Sequence, residues 1–300
     1  MKFNREDRFK KIGVKLLVFA ASFLFGMLLF RTTHAQEANA LLWKIEGKDL
    51  KKASYLYGTI HAICKDDFFL TDAVNAAQSE TELTVMELDM DDPQLMMKMQ
   101  QNSVNAEMKN ISSEFTDEQK EIANAFFKAN YGADLSQLGV VKPFALMSMV
   151  IQKSFPCTEM ESYEMTFVKN AQDREVEVLG LETVEFQTSI FDNEPMAAQI
   201  KLLVTSISEF EEAKEDFAKM VESYKKQDLK ALKQLMADSP EYADFEDILL
   251  NDRNADWIPK IGKFAAEKPT FFAVGAMHLA GEKGVIALLK EKGYKVTPVK

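Results

Sequence analysis

Short apolar or alternating stretches at the two ends of the chain read as strands, while its long middle repeats apolar residues at helical spacing. Near the start, Ala40–Ile45 and Ser54–Ile60 (SYLYGTI) predict two strands joined by a turn at Gly47-Lys48-Asp49. A short amphipathic helix over 66–79 and a strand over Glu82–Leu88 (ELTVMEL) follow. The middle, poor in Gly and rich in Met, Lys and Glu, reads as helical over 92–109, 116–130, 137–152, 160–171, 183–192 and 195–250. Thr116 followed by Gln119 has the spacing of a capping box. Glu175–Leu181 (EVEVLGL) interrupts the helical period and predicts a buried strand. At the end come the strand Thr270–Ala276 (TFFAVGA), a helix over Gly284–Lys292 and a strand over Lys295–Val299. Strands alternating with helices at both ends imply one α/β domain, residues 36–300, with a mixed central sheet and a mostly helical insertion over about 92–268. The Met-rich stretch Met86–Met108 is expected to pack in the core, where Met fills irregular gaps.

The first 35 residues stand outside that pattern. A basic head (Lys2, Arg5, Arg8, Lys10, Lys11, Lys15) precedes an uncharged run from Leu16 to Phe30, and Thr33-His34-Ala35 offers small residues at the positions a signal peptidase reads. The reading is a cleaved secretory signal peptide over 1–35, since the run is shorter than the ~20 residues of a comfortable span. A retained N-terminal anchor is the alternative. No cysteine precedes the expected mature start, so a lipid anchor is not implied.

Charge narrows the partners. The whole chain carries −11, and residues 1–35 carry +5, so the remainder carries −16. Nucleic acid and anionic membrane surfaces are therefore poor partners. A protein free of the membrane after signal cleavage, in the periplasm or secreted, fits better, acting on a peptide or small molecule. Two cysteines, Cys64 and Cys157, are expected to form a disulfide in an oxidising compartment, with a thiolate metal ligand at Cys64 as the competing idea.

His34 leaves with the signal peptide, and each remaining histidine ends the same four-residue frame. Gly58-Thr59-Ile60-His61 follows SYLY, and Gly275-Ala276-Met277-His278 follows TFFAV. Both lie where a strand runs out into a loop, which is where open α/β sheets bind ligands. Glycine in each frame permits close backbone approach or an unusual φ/ψ. Glu87, at the end of an apolar strand, needs a positive partner to offset desolvation. Two imidazoles and a carboxylate form a common shell for a divalent metal that keeps an open position. Glu82 and Asp89 are weaker candidates. Arg253 has a fork suited to a carboxylate, a phosphate or a developing oxyanion, or to a surface pair with Asp252 or Asp256. Glu182 ends EVEVLGL and is a further carboxylate candidate, or a helix cap.

These residues carry a resemblance. LLWKI, YLYGTIH, VMELD, KPFALM at Lys142–Met147, GLETVEFQ at Gly180–Gln187, LLNDRNADW at Leu249–Trp257 and the terminal FFAVGAMHLAGEKGVIALLKEKGYKV resemble the TraB/GumN proteins, a superfamily that also contains the Tiki metalloproteases. The resemblance implies a fold similar to erythromycin esterases and haem-associated ChaN proteins. It further implies that His61, Glu87, Arg253 and His278 line the cleft, and that manganese or cobalt, with zinc a further option, is the metal.

The expectation is an exported metal-dependent hydrolase, a peptidase being one form of it, with His61, His278 and Glu87 as ligands, Arg253 stabilising the oxyanion, and Glu182 as extra ligand or general base. Two rivals stand beside it. One is a metal-free, esterase-like hydrolase using a histidine as base with Glu87 fixing its tautomer. The other is a protein that sequesters a peptide or haem without catalysis. The sequence specifies no oligomeric state.

Overall fold

The computed structural model describes residues 39–238 and 245–300; the expected signal peptide, 1–35, lies outside them. Among the described residues eight strands are formed: β1 (Leu42–Glu46), β2 (Ser54–Thr59), β3 (Ile63–Cys64), β4 (Leu83–Met86), β5 (Met160–Glu161), β6 (Glu177–Gly180), β7 (Thr270–Gly275) and β8 (Lys295–Val299). Six of them make one mixed sheet in the order β6-β4-β7-β2-β1-β8. β6, β4, β7 and β2 run parallel; β1 pairs antiparallel with β2, and β8 pairs antiparallel with β1 at the edge. The expected α/β class with a mixed sheet is thus observed.

The sequence explains which strands are central. Every residue of β2 is buried, as are all but the last of β7, so both faces of these apolar runs are covered. β8 tolerates Pro298 because it lies at the sheet edge. The β1–β2 turn places Gly47 (φ 82°) and Lys48 (φ 51°) in the left-handed region, which a glycine at its first position favours.

The helices are α1 (Asp72–Ser79), α2 (Leu95–Asn102), α3 (Asp117–Tyr131), α4 (Leu135–Leu138), α5 (Pro143–Ser154), α6 (Tyr163–Asp173), α7 (Val184–Asp192), α8 (Met196–Ser208), α9 (Phe210–Lys225), α10 (Leu229–Ala237), α11 (Asp252–Glu267) and α12 (Val285–Glu291). The capping box at Thr116 and Gln119 is formed. The helix expected over 92–109 stops at Asn102, and the one over 195–250 is divided into α8, α9, α10 and a π-helical turn at Asp247–Asn251. Residues expected to open a helix at 160 instead form β5, and α6 begins after Ser162, whose side chain accepts from Met165 N.

Apolar side chains collect in two clusters. One is built on the sheet, with Phe271, Phe272, Leu56, Tyr57 and Trp257 fully enclosed. The other lies within the helical middle, where Phe127, Leu135, Leu146 and Leu203 meet. The Met-rich stretch does not pack as expected. Met86 is buried, yet Met96, Met97, Met99 and Met108 are exposed. α2 buries only Leu95, so its methionines face outward.

Cys64 and Cys157 are joined, with Cα atoms 5.9 Å apart across 93 residues. The bond fastens β3 to the chain leading into β5, its antiparallel partner. Closing a loop of that length is worth about 4–5 kcal/mol on the chain-entropy model. Reduction should therefore lower the melting temperature, and Cys64→Ser with Cys157→Ser should reproduce the lowered value. A double mutant that melts with the oxidised protein would show that the bridge contributes nothing.

Candidate functional site

All four parallel strands end at one cleft. His61 follows β2, Glu87 follows β4, Glu182 follows β6 and His278 follows β7. That is the carboxyl edge of the sheet, where side chains leaving successive strands converge. The cleft encloses about 360 Å³.

The glycines of the two matched frames serve close approach. A Cβ on Gly58 would lie 2.9 Å from Ala276 Cα, so Gly58 lets the turn after β7 settle against β2. A Cβ on Gly275 would lie 3.3 Å from Glu87 Oε1, and the Gly275 N–H donates to that oxygen at 2.8 Å.

The two histidines have opposite surroundings. His278 is 4% exposed and tilted on Trp257, with ring centroids 4.3 Å apart. Asn254 Nδ2 donates to Lys283 O, so its Oδ1 is the acceptor for His278 Nδ1–H at 2.6 Å. The Nε2 of this neutral tautomer then accepts from Arg253 Nη1 at 3.3 Å. Burial, reinforced by the Arg253 charge and opposed by Glu87, holds the His278 pKa down at about 3.

His61 lies in the open part of the cleft, surrounded by its walls but with 75% of its side chain reachable by water. Its Nδ1 donates to Glu164 Oε1 at 3.1 Å, which leaves Nε2 on the side of Gly275. Glu164 is held in turn: Thr59 Oγ1 donates to Oε1 at 2.7 Å and Ser162 Oγ to Oε2 at 3.0 Å. The hydrogen bond to Glu164 raises the His61 pKa from 6.5 to about 9, and water in the cleft screens part of that effect.

Beneath the cleft, Arg253 is enclosed by acceptors. Nε donates to Glu182 at 3.0 Å, Nη1 to Leu249 O at 2.9 Å and to His278 Nε2, and Nη2 to Glu87 Oε2 and Glu182 Oε2, each at 2.7 Å. All five N–H groups of the fork are engaged. The π-helical turn brings Leu249 O to this position, a backbone irregularity often found at functional sites. Glu182 also accepts from Trp257 Nε1 at 2.8 Å, and Gln187 Nε2 bridges Glu182 and Glu87 at 3.1 and 3.3 Å. Burial works to raise the Glu87 pKa, but the neighbouring His278, His61 and Arg253 and the Gly275 N–H bring it to about 2.

A ligand set of His61, His278 and Glu87 needs the Nε2 lone pair of His278, which is directed at Arg253, and oxygens of Glu87, which accept from Arg253 and Gly275. A guanidinium stands where a divalent cation would approach. Among the described residues, no group of three or more His, Cys, Asp or Glu is disposed to hold a metal ion. The residues therefore do not fit the metal in this arrangement.

The model of the TraB/PrgY/gumN family matches residues 41–298. The chain belongs to the TraB/PrgY/gumN family. Comparisons with curated proteins and with solved structures return no match. In this family member the five residues expected at the site, His61, Glu87, Glu182, Arg253 and His278, do converge. Arg253 has no donor left for an oxyanion, and its partner is neither Asp252 nor Asp256. Glu82 is exposed and pairs with Lys52 at 2.7 Å, away from the cleft. Asp89 follows the cleft residue Leu88, and its carboxyl is raised to about 6 by partial burial and by Asp91. Glu164, Asn254 and Gln187 are site residues that the sequence reading missed. Asn254 and Gln187 lie within the stretches LLNDRNADW and GLETVEFQ that carried the resemblance, and the signal for Glu164 was Ser162, a cap residue placing it in the first turn of α6.

No helix among the described residues is long and apolar enough to cross a membrane.

Proposed function

We propose that this TraB/PrgY/gumN protein hydrolyses an ester or amide bond, with His61 as a metal-independent general base. The observation that carries the reading is the Glu164–His61 pair: Nδ1 is fixed by a buried-edge carboxylate while Nε2 stays in a solvent-accessible cleft. In this mechanism His61 Nε2 takes a proton from water, whose oxygen attacks the substrate carbonyl. The imidazolium so formed is stabilised by Glu164 and returns the proton to the leaving oxygen or nitrogen. Arg253, Glu87 and Glu182 act as a fixed floor: their mutual bonds hold the strand ends in register, and they contribute field rather than direct contact. A fold like that of erythromycin esterases and ChaN proteins is part of the same proposal, as is export through residues 1–35.

The test is hydrolysis of a 4-nitrophenyl ester series by the purified protein, with and without EDTA, across pH. A general base acts only when deprotonated. A folded-state pKa raised from 6.5 toward about 9 therefore predicts a rate that climbs as pH rises through 7 to 9. Turnover should survive EDTA. Loss of activity to EDTA with recovery on adding manganese would replace this reading with a metal-dependent one.

A further inference from the structure

The same cleft carries information about the charge of what it accepts, and the inference rests on the hydrolase reading only for the bond being cut. At the floor, two carboxylates, Glu87 and Glu182, share one guanidinium, leaving one uncompensated negative charge. Glu164 adds a second whenever His61 is neutral, the state in which it acts as a base. Arg253 is not available to a ligand, because every N–H of its fork is engaged by the protein, and a protonated His61 is paired through Nδ1 with Glu164, which offsets its charge. An anion entering this space would meet carboxylates and find no free guanidinium donor. The cleft is also lined by the apolar residues Met90, Ile190, Phe191 and Leu249. Phe191 is held in place by stacking on Phe144, centroids 5.4 Å apart and planes 11° from parallel. A volume of about 360 Å³ is that of a small-ligand site.

We propose that the cleft selects an organic cation with an apolar body, an amine- or ammonium-bearing ester or amide, and discriminates against carboxylates and phosphates. The apolar body packs on the Phe191 wall, and the cationic head lies toward Glu87 and Glu164. The general charge of −11 gives any cation a weak, long-range advantage. Substitutions inside the cleft separate that background from a local preference.

Three inert probes with one body and different heads test this on the full chain by calorimetry at about pH 10, above the His61 pKa of about 9: 4-phenylbutyl-trimethylammonium, 4-phenylbutanol and 4-phenylbutyrate. The expected order of affinity is cation, alcohol, carboxylate, with at least tenfold between first and last. The spread should narrow between 0.05 and 0.5 M salt, as screening requires. Phe191→Ala should weaken the cation and the alcohol alike, whereas Glu87→Gln should reduce the cation's advantage. Should Glu87→Gln fail to fold, Glu164→Gln, at the open side of the cleft, serves the same purpose. Carboxylate bound as tightly as the cation, no binding of any probe, or an unchanged ratio in the folded Gln variant would overturn the proposal. Because the probes are not cleaved, the outcome is independent of turnover. The predicted order without hydrolysis of any matching 4-nitrophenyl ester would retain the selectivity and refute the hydrolase.

Discussion

His61→Ala should lower the hydrolytic rate by about 10²–10⁴-fold, the usual contribution of a positioned general base, while leaving the melting temperature nearly unchanged. The side chain is three-quarters accessible, so its removal opens no cavity in the packed interior. Its one protein hydrogen bond is to Glu164, which keeps Thr59 and Ser162 as donors. The matched substitution at the other frame should behave in reverse. His278→Ala deletes a buried ring lying on Trp257 and leaves Asn254 Oδ1 and Arg253 Nη1 without their partner. A cost of about 1–3 kcal/mol is expected for such unpaired buried groups. Calorimetric melting and single-turnover kinetics on both variants separate the roles. A His61→Ala protein that keeps full activity would end the proposal that this histidine is the base.

That contrast marks the limit of what the sequence made legible. The two Gly-x-x-His frames, Glu87 at the end of ELTVMEL and Glu182 at the end of EVEVLGL could be placed because strands announce themselves by apolar runs, and the carboxyl ends of parallel strands share one edge. The frames are alike over four residues, but the chain takes a different path beyond each. After His61 the chain enters the short β3 and leaves the ring open to water. After Gly275 it folds into a helical turn, Ala276–Leu279, beneath Trp257 of α11. Nothing within either tetrapeptide encodes that difference. Glu164 was invisible for another reason: an acid in the first turn of a helix is common wherever the helix dipole favours it, and its partner is 103 residues away. Arg253 could be chosen, but its saturation could not be foreseen. The backbone carbonyl that occupies one of its donors depends on the π-helical turn at Asp247–Asn251, and the composition there reads as ordinary helix.

Arg253→Met should be the most destabilising single change at the site, by about 3–5 kcal/mol, because it strands buried charge. Methionine matches much of the aliphatic length but has no donor. Glu182, 8% exposed, would keep Trp257 Nε1 and Gln187 Nε2 and lose three contacts from the guanidinium. Glu87 would keep Gly275 N and Gln187 and lose its cation. The two carboxylates, both adjoining Gln187 Nε2, would then face each other without a positive charge between them. Acid should soften the defect. In the wild type, Glu87 is held at about 2, below its ordinary 4.5, so it contributes stability that is present above pH 4.5 and lost as pH falls toward 2. Without Arg253 that depression weakens, protonation comes at higher pH, and the difference in stability between variant and wild type should shrink as pH is lowered through 4.5. A second variant, Arg253→Met with Glu87→Gln, should recover part of the loss, since it removes one of the stranded charges. Urea melts of the three proteins at pH 7 and pH 4 provide the measurement. If Arg253→Met unfolds at the same urea concentration as the wild type at pH 7, the guanidinium is not what holds the ends of β4 and β6 together, and the floor of the cleft must owe its order to Trp257, Gln187 and Gly275 alone.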